Sequence, residues 1–385
     1  MSTIVFVGGD DVSSRIELSN KLMKFGYKID IVGTEKEDKF IQNGIPYQKY
    51  YFDQGLSFFN DIRSILALRN ILKNKEKNTI IHAFDTKPAI FLPLAAIGLK
   101  HIKISRTING MGRIFTEKNI QNLFLINLYK IIQKSIMSKV DFTIFQNDDD
   151  NKYFMENNLF PKNRSKTIKS SGIDLKKFAT QVNNQQVEAL GKALNIDKTQ
   201  KTFILVSRMV KQKGIFTYLK AAKLCYEKGY NYNFLLVGQL DRTIKQKEID
   251  DYHDYVNYLG RREDIKELLK LADIFVLPTY YREGVPRVLL EASAMGLALI
   301  TTNMPGCKDV VTDGYNGKLI NINDEHDLSE KMIYIAENEE ELEKYQQNSQ
   351  EKVKEFDLDL VVKNYHEVYK NLIKDKKKNV ESTTI

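Results

Sequence analysis

The chain has 385 residues, 42% of them hydrophobic and 28% charged, with 58 Lys+Arg against 50 Asp+Glu and a net charge of +8. This composition excludes a fibrous or disordered chain, and the length exceeds one ordinary core, so we expect two domains of about 150–200 residues each. Only two cysteines, Cys225 and Cys307, are present, which excludes a disulfide-stapled scaffold and favours a reducing compartment.

Neither the N-terminus nor the longest apolar run indicates a membrane-inserted segment. "MSTIVFVGGD" has no basic region before its apolar residues, so we expect no secretory signal peptide and a cytoplasmic protein. The run "AIFLPLAAIGL", residues 89–99, is interrupted by proline and glycine and is too short to span a bilayer. It predicts a buried helix, with shallow contact to a membrane interface as the alternative.

Positive charge is concentrated in the first half of the chain. Residues 1–176 hold 27 Lys+Arg against 18 Asp+Glu, or +9, and the remainder holds 31 against 32, or −1. This imbalance favours an anionic partner, whether nucleic acid, an acidic lipid surface or a phosphorylated substrate. No zinc-ligand spacing, RNA-binding signature or basic-aromatic strip is present, so we expect no nucleic-acid partner. A basic surface that serves only solubility is the alternative.

Short apolar runs alternate with longer amphipathic stretches along the chain. In the first half the patterns predict strands at 3–7, 28–32, 79–84, 102–105 and 141–145 and helices at 13–26, 57–75, 88–99 and 119–138. In the second half they predict strands at 202–206, 233–237, 255–259, 273–277 and 298–301 and helices at 214–229, 264–271, 286–296 and 326–338. Such alternation predicts α/β domains with parallel sheets covered by helices on both faces.

The alternation occurs twice, on either side of a polar stretch with no predicted strand. It predicts two doubly wound domains facing a central cleft, with ligands at the C-terminal ends of the strands. We expect an N-terminal domain over 1–178, a linker over 179–200 and a second domain over 201–355. A last amphipathic helix with a basic tail, over 356–385, is expected to cross back onto the first domain.

Three loops at predicted strand ends have the residues of a ligand-binding site. In "LVSRMVKQKG", Arg208 and Lys213 follow a strand and Gly214 opens a helix, which suits a diphosphate. In "VFVGGDDVSSR", Gly8 and Gly9 would let backbone approach a ligand, although the dinucleotide fingerprint is missing. In "YLGRRED", a turn after a strand offers backbone groups to a base. For each loop taken alone, an ordinary surface turn is the alternative.

The segment "YYREGVPRVLLEASAMG" places Glu283 and Glu291 eight positions apart around a Gly-Val-Pro turn. Eight residues are a little over two helical turns, so both carboxylates would look toward one side of a helix N-terminus. Amides at such an end attract anions. The alternative is a solvated Glu283 and a helical surface Glu291.

Taken together, these segments resemble the retaining glycosyltransferases of family four, the "glycosyl transferases group 1" domain, whose members have the GT-B fold of two Rossmann-like domains. The resemblance covers nearly the whole chain. It is most specific at the pair Arg208 and Lys213, at the motif of Glu283 and Glu291, and at "TTNMPGCKDVVTDGYNGKLI". "IFQNDDD" and "SGIDLKKF" resemble the bacterial capsule and O-antigen branch, whose members extend sugars carried on undecaprenyl diphosphate.

The resemblance implies a role for each matching residue in binding a nucleotide sugar. Arg208 and Lys213 would hold the diphosphate and stabilise its charge as it departs. Glu291 would bind the ribose, and Glu283 would contact the donor sugar near its C3 and C4 hydroxyls. The further donor contacts that it implies are Arg261 at the base, the amides of Gly284 and Val285 at the sugar, and Gly8 and Gly9 from the other domain.

In the first domain the resemblance implies residues near the acceptor. His82, in "IIHAFDTKP", would lie near donor sugar and acceptor in a polar role, and it joins the Arg–Lys pair and Glu283 as a catalytic residue. A strand-end histidine satisfied by backbone is the alternative. Asn109, Gly110 and Arg113 belong to a loop that faces the acceptor in relatives, although histidine or threonine is commoner at the position of Asn109.

Three successive aspartates, residues 148–150, have the form of an Asp-x-Asp metal site. We nevertheless expect no metal and no other cofactor, because in the resembled fold cations and helix dipoles neutralise the diphosphate. The resemblance implies front-face displacement, in which the departing diphosphate takes the proton of the acceptor hydroxyl.

We therefore predict a retaining hexosyltransferase that moves an N-acetylhexosamine or a hexose from a UDP-sugar to a polyprenyl-diphosphate-linked saccharide in bacterial surface polysaccharide or glycan assembly. The basic domain would press against the anionic inner face of the cell membrane. The candidate contacts are Lys100, Lys103, Arg106, Arg113 and the helix "NLFLINLYKIIQKSIMSK". A GT-B-like epimerase or phosphorylase and a non-catalytic nucleotide-binding protein are the alternatives.

Overall fold

The structure is a computed structural model that describes residues 2–55, 57–117, 119–161, 163–178 and 182–381, with side chains described as far as residue 374 apart from that of Arg113. The chain divides into two compact units. Unit 1 consists of Met1–Ser171 with Leu358–Ile385, and unit 2 of Gly172–Asp357.

Unit 1 is built on a seven-stranded sheet in which every pairing is parallel. Its strand order is β3-β2-β1-β4-β5-β6-β7. The strands are β1 Thr3–Val7, β2 Lys28–Gly33, β3 Tyr47–Lys49, β4 Ile80–Ala83, β5 Lys103–Ile108, β6 Phe142–Phe145 and β7 Ser165–Thr167. The helices are α1 Ile16–Met23, α2 Asp38–Gln42, α3 Phe58–Lys73, α4 Thr86–Ala95, α5 Ile120–Ile136, α6 Asp148–Glu156 and, at the end of the chain, α16 Leu358–Glu381.

Unit 2 repeats the plan with a six-stranded parallel sheet in the order β10-β9-β8-β11-β12-β13. Its strands are β8 Thr202–Val206, β9 Asn233–Val237, β10 Asn257–Tyr258, β11 Ile274–Leu277, β12 Ala298–Thr302 and β13 Gly317–Ile320. Its helices are α7 Leu175–Phe178, α8 Asn184–Ala193, α9 Ile215–Glu227, α10 Gln246–Asp250, α11 Ile265–Leu271, α12 Arg287–Ala294, α13 Cys307–Val310, α14 Glu325–Glu337 and α15 Glu339–Lys352.

Strands such as β1 and β8 are almost entirely apolar because helices cover both faces of each sheet. In β8, Phe203 and Leu205 pack into one apolar cluster, and Ile204 and Val206 pack into another. Successive side chains of a strand point to opposite faces, so a continuous apolar run fills two cores at once. The predicted doubly wound α/β class is confirmed in both units. The run at 89–99 also forms the expected buried helix, since Phe91, Leu92 and Ala95 of α4 are buried.

The unit boundary lies at Gly172, seven residues before the expected linker. Ile173 is fully buried in the second core, and its amide donates to the carbonyl of Phe356 at 3.0 Å. The polar stretch 179–200 contains α8, and Leu190 of this helix and Leu194 directly after it pack on the same core. Residues 179–181 lie outside the described part of the chain.

The last helix, α16, belongs to unit 1 and covers one face of its sheet. Val362, Tyr365 and Tyr369 are buried and cluster with Ile4 and Phe6 of β1. On α1, Lys21 pairs with Asp359 at 2.5 Å. The end of the predicted basic tail, residues 382–385, lies outside the described residues.

Within the residues described, no helix is both long enough and apolar enough to pass through a bilayer.

Candidate active site

The loop that follows β8 is held against the loop that follows β11. Gly214 has φ 75°, and a Cβ added there would lie 2.0 Å from the carbonyl oxygen of Pro278. The carbonyl of Gln212 accepts from the amide of Tyr280 at 2.9 Å and from the hydroxyl of Thr279 at 3.0 Å. Glycine is required at position 214 because no larger residue permits this approach. The two loops therefore form one rigid surface at the carboxyl edge of the sheet.

The contact between these two loops brings together Lys213, which the sequence analysis placed at the diphosphate, and Glu283, which it placed at the donor sugar. Lys213 Nζ forms an ion pair with Glu283 Oε1, although 70 positions separate them. Their side chains are only 11% and 22% exposed. A pair with so little exposure is held in place by its surroundings and is weakly screened by salt.

A third loop, after β12, packs against the backbone of Gly284, the residue after Glu283. Gly306 has φ 82°, and a Cβ at that position would meet the carbonyl oxygen of Gly284 at 2.0 Å. Cys307 follows it and is fully buried. Burial, with a smaller contribution from Glu283, raises the pKa of the Cys307 thiol to about 12, so it stays protonated beneath the pair. Gly306 lies in the "TTNMPGCKDV" segment that carried part of the resemblance, whereas the place of Cys307 under the site was not predicted.

Glu291 lies on the second turn of α12, four residues beyond the start of the helix. Arg287 Nε donates to Glu291 Oε1 at 3.0 Å, an i, i+4 pair that the sequence analysis did not consider. Glu283 precedes the helix and faces Lys213, so the two glutamates occupy different places at this edge of the sheet. Gly284 and Val285 between them are both buried.

Arg208 and Arg261 are exposed at the same edge. The loop of Arg208 is pinned to the loop after β9, because the amide of Met209 donates to the carbonyl of Gln239 at 3.0 Å. Arg208 also contributes to the low pKa of the Asp241 carboxyl, which is held down chiefly by hydrogen bonds from Thr243. The carboxyl edge of this sheet therefore carries the exposed guanidinium groups of Arg208 and Arg261 and the largely buried ion pair of Lys213 and Glu283.

In unit 1 the two N-terminal glycines are explained by packing inside the unit. A Cβ at Gly8 would lie 2.9 Å from the side chain of Val12, and one at Gly9 would lie 3.0 Å from the ring of Phe52. Tyr50 donates to the carbonyl of Gly8 at 3.2 Å. The loop follows β1 at the carboxyl edge, as predicted, and both glycines are buried.

His82 is enclosed in the core of unit 1. It is 0% exposed, and its ring lies 2.8 Å (Nε2) from Thr107 Oγ1 and 3.1 Å (Nδ1) from the hydroxyl of Tyr369 on α16. Burial, together with Arg15, lowers its pKa to about 3, so the ring is neutral. This placement contradicts the expectation that His82 approaches substrate, because α16 covers the face of the sheet from which the ring projects.

Asn109 and Gly110 follow β5 at the carboxyl edge of unit 1. Asn109 Nδ2 donates to Asp85 Oδ1 at 2.8 Å, and Gly110 has φ 140°. Arg113 begins a 3-10 turn, Arg113–Phe115, and its side chain lies outside the described part of the structure.

The three aspartates at 148–150 form the first turn of α6, where acidic side chains complement the helix dipole. Asn147 caps this helix by accepting from the amide of Asp150 at 2.8 Å. Among the residues that the structure describes, no group of three or more His, Cys, Asp or Glu side chains is arranged to hold a metal ion.

Of the four basic residues predicted to face a membrane, Arg106 is buried and Lys103 is held in an ion pair. Arg106 is 0% exposed and bonds to Gln133 at 2.7 Å and Thr143 at 3.2 Å. Its position in β5 points the side chain under α4 and α5, so the prediction for Arg106 is wrong. Lys103 pairs with Asp141 at 2.8 Å, and Lys100 is exposed.

Solved structures with the same GT-B fold include several glycosyltransferases. A sucrose-phosphate synthase from Thermosynechococcus elongatus matches with a TM-score of 0.80 at 17% identity, over 97% of this chain and 100% of that one. A glycosyltransferase from Rickettsia africae matches with a TM-score of 0.77 at 19% identity, over 97% and 99%. The predicted GT-B fold is thereby confirmed.

Sequence relatives are similar along most of their length. An N,N'-diacetylbacillosaminyl-diphospho-undecaprenol alpha-1,3-N-acetylgalactosaminyltransferase from Campylobacter jejuni is 31% identical over 88% of this chain and 90% of its own. A UDP-Gal:alpha-D-GlcNAc-diphosphoundecaprenol alpha-1,3-galactosyltransferase from Escherichia coli is 27% identical over 74% and 73%. The capsular polysaccharide biosynthesis glycosyltransferase CapM from Staphylococcus aureus is 27% identical over 92% of each chain.

The family model for "Glycosyl transferases group 1" matches residues 186–352, which lie in unit 2 and contain the Lys213–Glu283 pair. These findings support the transferase prediction and not the epimerase, phosphorylase or non-catalytic alternatives. Because the similarity to the Campylobacter relative extends over both units, the whole chain belongs to the glycosyl transferases group 1 family.

Proposed function

We propose that this glycosyltransferase moves an N-acetylhexosamine or a hexose from a UDP-sugar to a saccharide carried on a polyprenyl diphosphate, with retention of configuration, in bacterial surface polysaccharide assembly. The relatives named for undecaprenyl-diphosphate-linked acceptors and for capsule synthesis support this acceptor class. The observation that carries the proposal is the contact between Lys213 and Glu283 at the carboxyl edge of the second sheet.

The donor is proposed to lie across the loops after β8, β10 and β11. Arg208 and Lys213 bind the diphosphate, Glu291 the ribose hydroxyls and Glu283 the sugar hydroxyls. Arg261 lies beside the base, and the backbone of Gly284 and Val285 orients the sugar. Glu283 and Lys213 would then exchange their mutual contact for contacts to the donor, so that a half-buried pair is never left without partners.

Retention is proposed to proceed on one face of the sugar. The bond from C1 to the UDP oxygen breaks, the bond from C1 to the acceptor oxygen forms on the same side, and the acceptor proton passes to the departing β-phosphate. Arg208 and Lys213 stabilise the charge that develops on UDP. Two relatives are named as alpha-1,3-transferases, and UDP-hexoses carry their sugar in the α configuration, which supports retention.

We propose that these two cations do the electrostatic work without a metal ion or another cofactor. A guanidinium and an ammonium at a strand end supply two positive charges, which match the charge of a diphosphate.

The acceptor is proposed to approach unit 1, whose loops carry Asn109, Gly110 and Arg113. Helix α5 on the same unit supplies a membrane-docking face. Ile120, Phe124 and Ile131 are 86%, 69% and 65% exposed, and their spacing of four and seven places them on one side of the helix. Lys130 and Lys134 lie on α5, which has no acidic residue.

Exposed apolar side chains with neighbouring lysines suit the anionic inner face of a cell membrane. Flotation with vesicles that contain anionic lipid should show binding that weakens with salt and is lost when Phe124 and Ile131 are both changed to serine. Ile322→Ser, at an apolar residue of unit 2 that is 47% exposed, is the matched control and should float like the wild type. Equal flotation of all three proteins would reject this docking face.

The test of the proposed function is a transfer assay with a panel of UDP-hexoses and UDP-N-acetylhexosamines and an undecaprenyl-diphosphate-linked saccharide. We expect one donor to give an α-linked product, identified by NMR coupling at the new anomeric carbon. A β-linked product would reject retention, and no product from any UDP-sugar would reject the donor class.

A further inference from the structure

Asp85, directly after β4, has a backbone conformation that is unusual for an aspartate. Its φ is 70° and its ψ is 159°, a region occupied almost only by glycine. A residue held there costs free energy, and such residues cluster at sites where the side chain is used. The strain therefore calls for an explanation in terms of the carboxylate.

Helix capping does not explain the strained backbone conformation of Asp85. Asp85 is the N-cap residue of α4, a position where aspartate normally accepts from the amides of the first turn. Its side chain makes no such bond. Instead, the carboxylate is turned toward the loop after β5, and among the described residues Asn109 Nδ2 is its only hydrogen-bonding partner, at 2.8 Å.

This bond determines which way the Asn109 amide points. A carboxylate only accepts, so the nitrogen must face Asp85 and the oxygen must face away. Asn109 Oδ1 is buried and has no hydrogen-bond partner among the described residues. Buried polar atoms are nearly always paired, and Asn109 Oδ1 is one of several buried side-chain atoms for which the described residues supply no partner. Its place at the carboxyl edge of the sheet, where ligands of such sheets bind, points to a donor on a ligand.

The neighbouring lysine does not neutralise Asp85. Lys87 Nζ is bonded to the carbonyl of Asp53 at 2.9 Å and pairs with Asp61 at 2.6 Å, which anchors the first turn of α4 to the first turn of α3 and to the segment before it. Asp85 is half-buried, and its charge contributes to raising the pKa of Tyr50, after the effect of burial.

We infer that Asp85 and Asn109 together form an acceptor-positioning pair for the saccharide, with Asp85 as a substrate contact that the sequence analysis did not identify. Asp85 accepts from a sugar hydroxyl, and Asn109 Oδ1 accepts from a neighbouring hydroxyl or acetamido N–H of the same ring. The ligand is a saccharide with two adjacent hydrogen-bond donors. This inference rests on the proposed function for its context and adds the residues that hold the acceptor.

The test compares Asp85→Gly, Asp85→Asn and Asn109→Ala with the wild type. Asn78→Gly is the matched control, because Asn78 has φ 74° and lies before the opposite end of the same strand, β4. For each protein we would measure the thermal midpoint, the slow hydrolysis of the UDP-sugar, and transfer to lipid-linked acceptors that end in a hexose or an N-acetylhexosamine.

We expect Asp85→Gly to keep or raise the thermal midpoint, since glycine relieves the backbone strain. Transfer should fall by about 10- to 100-fold more than donor hydrolysis in the three variants, which corresponds to one charged or buried hydrogen bond. A loss in Asn109→Ala for both acceptors identifies a hydroxyl as its donor, and a loss confined to the N-acetylhexosamine identifies the acetamido N–H.

Wild-type transfer in Asp85→Gly and Asn109→Ala would overturn the inference, as would an equal loss of hydrolysis and transfer in Asp85→Asn. Failure of the wild type to transfer to any acceptor would instead count against the proposed function. In that case saturation-transfer NMR with methyl N-acetylglucosaminide, compared between wild type and Asn109→Ala, still decides the pair. Loss of the signal in the variant supports it, and an equal signal in both proteins, or none in the wild type, rejects it.

Discussion

Replacing Lys213 by methionine separates the structural from the chemical part of the Lys213–Glu283 pair. Methionine keeps an unbranched apolar stem and removes the ammonium, so Glu283 is left without that partner. Exposed ion pairs contribute about 0–1 kcal/mol, and removing one member of a fully buried pair costs about 3–5 kcal/mol. With side chains 11% and 22% exposed, we expect a free energy of unfolding about 2 kcal/mol lower.

For a unit of this size, about 2 kcal/mol lowers the thermal midpoint by about 4–8 °C. Adding Glu283→Gln should recover most of that loss, because a neutral amide needs no cation. Transfer behaves differently. Loss of one group that stabilises developing charge lowers the rate by about 10²–10³-fold, and the double variant should remain at least that far below the wild type.

The assay pairs calorimetric or denaturant unfolding with transfer from a labelled UDP-sugar. Recovered stability without recovered transfer supports a role for Lys213 at the diphosphate. Wild-type transfer in Lys213→Met, or recovery of transfer in the double variant, would refute it.

Three further outcomes follow from the same geometry. Gly214→Ala should lower the free energy of unfolding by about 2–4 kcal/mol and abolish transfer, because its Cβ would lie 2.0 Å from the Pro278 carbonyl oxygen. Gly229→Ala has a similar φ of 87° but open space around it, so it should lose only the about 1–2 kcal/mol of left-handed backbone strain and keep transfer. The pKa of His82 is lowered to about 3 in the folded state, so its neutral ring contributes stability above about pH 6.5, and that contribution is lost as the pH falls toward 3. Between pH 7 and 5 the free energy of unfolding of the wild type should therefore fall by about 2 kcal/mol more than that of His82→Gln in denaturant titrations. His82→Gln should keep transfer within a few-fold of the wild type. Transfer should persist in excess EDTA, and its loss with recovery on adding Mg²⁺ would show that a metal is needed.

β1, β8, β9 and β11 were predictable because they are nearly continuous apolar runs. β8 was predicted at 202–206 and extends over Thr202–Val206. The strands missed were β3, β7 and β13, which are short and at sheet edges. β7, "SKT", has no apolar residue at all, so its pairing with β6 depends on backbone hydrogen bonds that no side-chain pattern reveals.

His82 shows where a role carried over from a family resemblance fails. Its strand, "IIHA", alternates between two faces, and Ile80 on the same face as His82 clusters with residues of α16. The alternation alone predicts that His82 points into a sheet face. What covers that face depends on Tyr365 and Tyr369, almost 290 positions later, and no local pattern brings them there.

The contacts of the site were likewise only partly predictable. Lys213 and Glu283 could each be identified from the motif of the loop that contains them. Their pairing, however, depends on the hydrogen bonds from Thr279 and Tyr280 to the Gln212 carbonyl, which the sequence does not reveal. The strain at Asp85 is a backbone property, and an aspartate before a helix looks like an ordinary cap in the sequence.

The most direct measurement is the ratio of affinities for UDP and for uridine, determined by calorimetry in EDTA. If Arg208 and Lys213 bind the diphosphate, the wild type should prefer UDP strongly, and replacing both residues by methionine should reduce that preference by at least about 100-fold with little change in uridine binding. Glu291→Gln should weaken both ligands equally, since it contacts the ribose. An unchanged preference for UDP in the double methionine variant would contradict the account.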